Sequence, residues 1–148
     1  MSLEQTIMGE LKAAMKNKDQ AALRGIRAIK AAILLAKTDG SGQELDESGE
    51  IKLLQKLVKQ RQDSLDIFNK QGRDDLAQVE AQEIAVIQKF LPEQMGEEEL
   101  TTIIKEIVTQ TGATSMKDMG KVMGMTSQKL AGKADGKTLA NIVKQILS

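Results

Sequence analysis

Ser115-Met-Lys-Asp-Met-Gly-Lys-Val-Met-Gly124, followed by Gly132-Lys-Ala-Asp-Gly-Lys-Thr-Leu-Ala-Asn-Ile-Val-Lys-Gln-Ile-Leu147, reads as two short helices joined by a tight turn. Ser115 can cap the first helix, with Asp118 three residues on as its acidic capping-box partner. Asp135 can cap the second, with Gly136 and Lys137 in its first turn. Gly120 and Gly124 lie one helical turn apart, so one face of the first helix has no side chains to hold a neighbour away. Lys117, Lys121, Lys129, Lys133 and Lys137 crowd around the turn. Glycines, helix N-termini and lysines together suit a phosphate-bearing partner. Lys117, Lys121, Lys133 and Lys137, with Gly132 and Gly136, are therefore the candidate contacts. The bland alternative is that the glycines allow close helix packing and the lysines simply face solvent.

Upstream, helical periodicity repeats without interruption by any strand pattern. Ser2 to Asn17 places Leu3, Ile7, Met8, Leu11 and Met15 on one face, with Ser2 and Gln5 at capping-box spacing. Asp19 caps a second helix to about Lys37, whose apolar stripe is Leu23, Ile26, Ile29 and Ile33. Arg24, Arg27 and Lys30 form a basic edge beside that stripe. It is either a solvated rim or a second phosphate-contacting strip, with Arg24 and Arg27 as candidates. Thr38-Asp-Gly-Ser-Gly-Gln43 is a loop by composition. A long third helix follows from near Asp46 to Gln71, and Gly72 suits a left-handed cap. Asp74 opens a fourth helix through Ile84 and Ile87 to Phe90, and two long helices joined at one glycine pack naturally as an antiparallel hairpin. Leu91-Pro92 marks a boundary, because proline removes a backbone donor and disfavours helix at the residue before it. Glu93 to Gly96 reads as a short linker. Glu97, Glu98 and Glu99 then occupy the first turn of a fifth helix that Gly112 ends. Three adjacent acids diverge around a helix, so the dipole accounts for them better than a metal does. The expected fold is all-α, with an N-terminal multi-helical domain over 1–92 containing long antiparallel helices. A small three-helix module over 93–148 follows it.

Composition excludes several chemistries. The 148 residues carry 21 basic and 21 acidic side chains, so no global charge draws the chain to nucleic acid or membrane. The balance is local: residues 93–111 have a net charge of −4 and residues 112–148 one of +4. Without Cys or His there is no thiol nucleophile, no thiolate metal site and no imidazole base. Phe68 and Phe90 are the only aromatics, which removes base-stacking platforms. No cofactor or metal is expected, nor membrane insertion, and the lack of an apolar leader leads to the expectation of a cytoplasmic chain.

The runs Val58-Lys-Gln-Arg-Gln-Asp-Ser-Leu65, Leu91-Pro-Glu-Gln-Met95, Asp118-Met-Gly-Lys-Val-Met-Gly124 and Gly132-Lys-Ala-Asp-Gly-Lys137 resemble the YqeY proteins of the GatB/YqeY family, over nearly the whole chain. The resemblance implies an all-helical fold with a larger N-terminal and a smaller C-terminal part. It also implies kinship with the tail of the B subunit of the tRNA-dependent amidotransferase, a region associated with holding tRNA. A departure is Gly136, where the amidotransferase tails commonly have proline. Either residue suits a helix's first turn.

Three functions follow as expectations. The first is a non-catalytic tRNA-binding or tRNA-enzyme accessory protein, with tRNA as partner and phosphates contacted by Lys121, Lys133 and Lys137. The second is a helical interaction module docking to an aminoacyl-tRNA synthetase or amidotransferase component. The third and least supported is glutamine-dependent carbon–nitrogen ligase activity, confined to a complex. Gly132 to Thr138 falls one residue short of P-loop spacing and follows no strand. Glu80 and Glu83 are more simply a helix's polar margin than a catalytic pair.

Overall fold

A computed structural model describes residues 2–39 and 45–148. Among these residues the chain is all-helical, with seven α-helices, one short 3-10 turn and no strand. The loop expected over 38–43 lies outside the described residues from Gly40 onward. Contacts divide the chain into two compact units, Met1–Leu91 and Pro92–Ser148.

The first unit contains α1 (Leu3–Asn17), α2 (Gln20–Lys37), α3 (Glu47–Lys70) and α4 (Asp74–Gln88). At the head of α1, the Gln5 amide donates to Ser2 Oγ at 3.3 Å and the Ser2 amide to Gln5 Oε1 at 3.1 Å, closing the capping box. Asp19 accepts from the Ala22 amide at 3.1 Å and Asp46 from the Gly49 amide at 2.7 Å, so α2 and α3 each start on a carboxylate. Lys18, at φ 54°, makes the left-handed turn between α1 and α2. Gly72, at φ 70°, does so between α3 and α4, where the Arg73 amide reaches back to the Phe68 carbonyl at 2.9 Å. That bond is the long closure of a Schellman turn, and a side chain at Gly72 would strain it.

The unit's core is aliphatic. Ile7, Ile29, Leu54 and Ile87 are fully buried, one from each helix. Each is worth about 1.5–3 kcal/mol of transfer free energy. α2 packs tightly on α4 at Gly25, where a Cβ would stand 2.6 Å from Val86 Cγ1 and 2.8 Å from Val86 Cβ. A glycine is needed there for space, not for its backbone angles.

The second unit contains α5 (Glu97–Thr111), a 3-10 turn (Met116–Asp118), α6 (Met119–Lys129) and α7 (Gly136–Leu147). Leu100, Ile104 and Ile107 of α5 pack with Val122 of α6 and with Leu139, Ile142 and Val143 of α7. Glu97, Glu98 and Glu99 stand in the first turn of α5, which has no side-chain cap, so their charge is what complements that helix end. The opening of α6 differs from the sequence expectation. Ser115 Oγ accepts from the Lys117 amide at 3.4 Å within the 3-10 turn. Asp118 Oδ2 accepts from the amide of Thr114 at 3.0 Å, not from Ser115, so no capping box forms and α6 begins only at Met119. The Ser-x-x-Asp spacing closes a tighter turn instead.

Candidate nucleic-acid interface

Asp135 Oδ1 accepts the Thr138 amide at 2.7 Å, and α7 runs from Gly136 with Leu139, Ile142 and Val143 turned into the core. The expected cap is present. It has a chemical cost for anion binding, because one amide of the first turn is already engaged and a carboxylate stands beside it. Upstream, Gly132 is buried at φ 77°. Its carbonyl accepts from Gln94 Nε2 at 2.7 Å, and the Lys133 carbonyl accepts from the Met95 amide at 2.9 Å. Ala134 enters the core at 8% exposure. The run that nearly matches a P-loop is thus a pinned connector whose middle is buried. Residues 93–96, expected to be only a linker, supply the pins: Gln94 also donates to the Pro92 carbonyl at 2.9 Å, and Met95 packs on the core. The Leu-Pro-Glu-Gln-Met run carries that signal in the sequence, but only the fold reveals what it grips.

Gly120, Lys121 and Gly124 are exposed, and an added Cβ at either glycine would meet nothing within 4 Å. These glycines therefore do not mediate helix packing within the chain. They leave a stretch of α6 backbone open to whatever approaches. Lys117 and Lys137 are exposed and Lys133 is half-buried. Among the described residues, none of the four lysines makes an ion pair. Since α6 packs against α7, Lys121, Lys133, Lys137 and Gly136 belong to one helix pair and the turn between its members, while Lys117 lies in the 3-10 turn that leads into α6.

The two arginines of the predicted strip lie in the first unit, and they part company. Arg27 is exposed, with no ion pair among the described residues. Arg24 is committed inside the fold: Nη2 donates to Gln82 Oε1 at 2.8 Å, and Nε lies 3.7 Å from Glu83 Oε1. Arg61 of α3 holds the other oxygen of Glu83 at 3.2 Å and the Leu57 carbonyl at 3.1 Å. Glu83 is therefore shared by two arginines and ties α2, α3 and α4 together. The sequence, which placed Arg24 and Arg27 on one edge, held no sign of this partner 59 residues away.

Burial pushes the Glu80 carboxyl up; repulsion from Glu83 adds to the rise and Arg61 opposes it. The folded chain thus holds a proton on Glu80 more readily than the unfolded chain does. Its contribution to stability is full below the ordinary carboxylate range and is lost as pH rises through the raised value. Glu80→Gln should accordingly raise the urea midpoint at neutral pH and leave it unchanged in acid. A midpoint lowered at neutral pH would mean that Arg61 holds Glu80 as a stabilising ion pair.

Among the described residues no group of three or more His, Cys, Asp or Glu could hold a metal ion, and no helix is long and apolar enough to cross a membrane. A family model described as "Yqey-like protein" matches residues 4–147. The chain is similar to the protein named "Altered inheritance of mitochondria protein 41, mitochondrial" from several fungi. It is 35% identical to that of Meyerozyma guilliermondii over 126 residues, 81% of this chain and 64% of the relative. The Lachancea thermotolerans protein is 29% identical over 143 residues, 92% of this chain and 76% of the relative. For Clavispora lusitaniae the identity is 39% over 104 residues, 66% and 60% of the two chains. The chain thus spans less than two thirds of two of these three relatives. The expectation of a cytoplasmic chain is corrected by their names, which point to the mitochondrion. The lack of an apolar leader has no bearing on mitochondrial targeting, which uses amphipathic Arg- and Ser-rich segments.

Proposed function

The chain belongs to the YqeY-like family, and from that premise we propose that it is a tRNA-binding or tRNA-enzyme accessory protein whose second unit contacts tRNA phosphates. The observation that carries this reading is the set of lysines on α6, α7, the turn between them and the 3-10 turn that leads into α6. Lys117, Lys121 and Lys137 are exposed and lack acidic partners among the described residues, and Gly120 and Gly124 bare a face of the helix that carries Lys121. Ammonium groups around an open backbone can seat a folded RNA by its phosphates and shape, with no reading of bases. The absence of any aromatic residue from 92–148 agrees with that mode. Lys133 is the least free of the group, and the Asp135 cap limits what the amides of α7 can add.

Binding of bulk tRNA measured across a salt series tests the reading, with the wild type beside Lys121→Glu/Lys133→Glu/Lys137→Glu. The wild type should bind with a dissociation constant on the order of 1–10 µM and weaken with salt. The variant, still folded by circular dichroism, should bind at least about tenfold more weakly with a shallower salt slope. No binding at low salt, or a variant that binds as well as the wild type, would reject it.

A further inference from the structure

In the first unit, Lys37 near the end of α2 forms an ion pair with Glu4 near the start of α1. That pair marks where the solvent-facing edges of two antiparallel helices meet. One turn inward from it stand Met8 on α1 and Leu34 on α2, 50% and 63% exposed. Two further turns along the same edge of α1 stands Met15, 58% exposed, about 10 Å from Met8. The seam of this hairpin is therefore apolar on its outer side as well as on the side that faces the core. Cations flank it: Lys12 and Lys16 on α1, Arg27 and Lys30 on α2, all exposed and none in an ion pair among the described residues. Glu4, the acid at this end of the seam, is engaged by Lys37.

We propose that the α1–α2 seam is a docking groove for an acidic amphipathic helix of another protein, seated by its apolar side on Met8, Leu34 and Met15. Two helices side by side leave a shallow groove, and anchors three, four and seven residues apart on a third helix fit it. The unpaired cations require acidic flanks on the occupant, and methionine side chains adapt to anchors of varied shape. Nucleic acid would satisfy the cations and leave the apolar row uncovered. This groove lies in the other unit from the lysines assigned to tRNA, so it stands or falls independently of that assignment.

The test uses the full chain and a fluorescein-labelled 18-residue peptide with leucines at helical i, i+3, i+4 and i+7 spacing and glutamates elsewhere. Fluorescence anisotropy should give a dissociation constant on the order of 10–100 µM. A scrambled peptide of equal charge should bind at least tenfold more weakly. Met8→Glu/Leu34→Glu should lose at least tenfold, and Arg27→Glu/Lys30→Glu should lose a similar factor and much of the salt dependence. All four positions are exposed, so the variants should keep the wild-type unfolding midpoint. Equal binding of the scrambled peptide, no binding of either peptide, or full affinity in Met8→Glu/Leu34→Glu overturns the proposal. So does binding to phosphatidylglycerol vesicles in place of the peptide, which would make the seam a membrane surface. A concentration-dependent dimer abolished by Met8→Glu/Leu34→Glu would overturn it in favour of a second copy of the chain.

Discussion

Gly25→Leu should destabilise the first unit by about 3 kcal/mol, and Gly25→Ala by about 1–2 kcal/mol. The first atom of any side chain at this position would lie 2.6 Å from Val86 Cγ1, well inside van der Waals contact. The obstacle is the stem of a β-branched residue held in the core of α4, which cannot swing aside as the end of a long side chain would. Relief therefore requires α2 and α4 to separate, which loosens Ile29 and Ile87, both fully buried. Replacing glycine within a helix ordinarily gains about 1 kcal/mol of helix propensity, and the clash outweighs it. Urea denaturation measures the loss. Amide exchange in α2 and α4, compared with α5 to α7, localises it to the first unit. Val86→Ala should restore most of the stability to Gly25→Ala. A Gly25→Ala chain as stable as wild type would show that the helices can shift at no cost.

Glu83→Ala should cost about 2 kcal/mol, more than Arg24→Ala or Arg61→Ala alone. The glutamate is 16% exposed and Arg61 18%, while Arg24 at 38% is better hydrated. Losing the shared carboxylate would leave two guanidinium groups facing each other in a partly dry site. Losing either arginine leaves the other ion pair intact. Solvent screening at Arg24 keeps the cost below that of a fully buried pair. A double-mutant cycle between Glu83→Ala and Arg61→Ala, read by urea midpoints, should give a coupling of about 1–2 kcal/mol, against a smaller one for Arg24. Equal couplings would mean that the 3.7 Å contact of Arg24 is as strong as the 3.2 Å contact of Arg61.

The sequence made the helices legible because their signals are local. Ser2 with Gln5, Asp19, Asp46 and Asp135 each sit three residues before an amide they accept from, and helical spacing of isoleucine and leucine reports the buried face directly. Patterns with two local solutions or a distant partner were not legible in the same way. Ser115 and Asp118 fit a capping box, yet the chain closes a 3-10 turn with the same residues. Gly120 and Gly124 fit a close helix approach, yet they face open space, while the glycine that meets a neighbouring helix is Gly25, which no spacing rule marks. Arg24 and Arg27 are equivalent on a helical wheel. Only the packing of α2 against α4 commits one to Glu83 and leaves the other in solvent. For the candidate interface, the sequence could count lysines but could not show that Gln94 and Met95 fasten the turn that carries Lys133.

The two bare glycines of α6 have a thermodynamic consequence. Each weakens the helix by about 1 kcal/mol relative to alanine, and α6 is only eleven residues long, too short to persist alone in water. What keeps it helical is the burial of Val122 and its neighbours against α5 and α7. Its exposed side and its buried side are thus two faces of one folding equilibrium. A ligand that grips the open backbone would draw the whole unit toward its folded state in proportion to its own affinity and concentration. Conversely, any loss of packing beneath α6 would weaken that grip without altering a single residue on the surface.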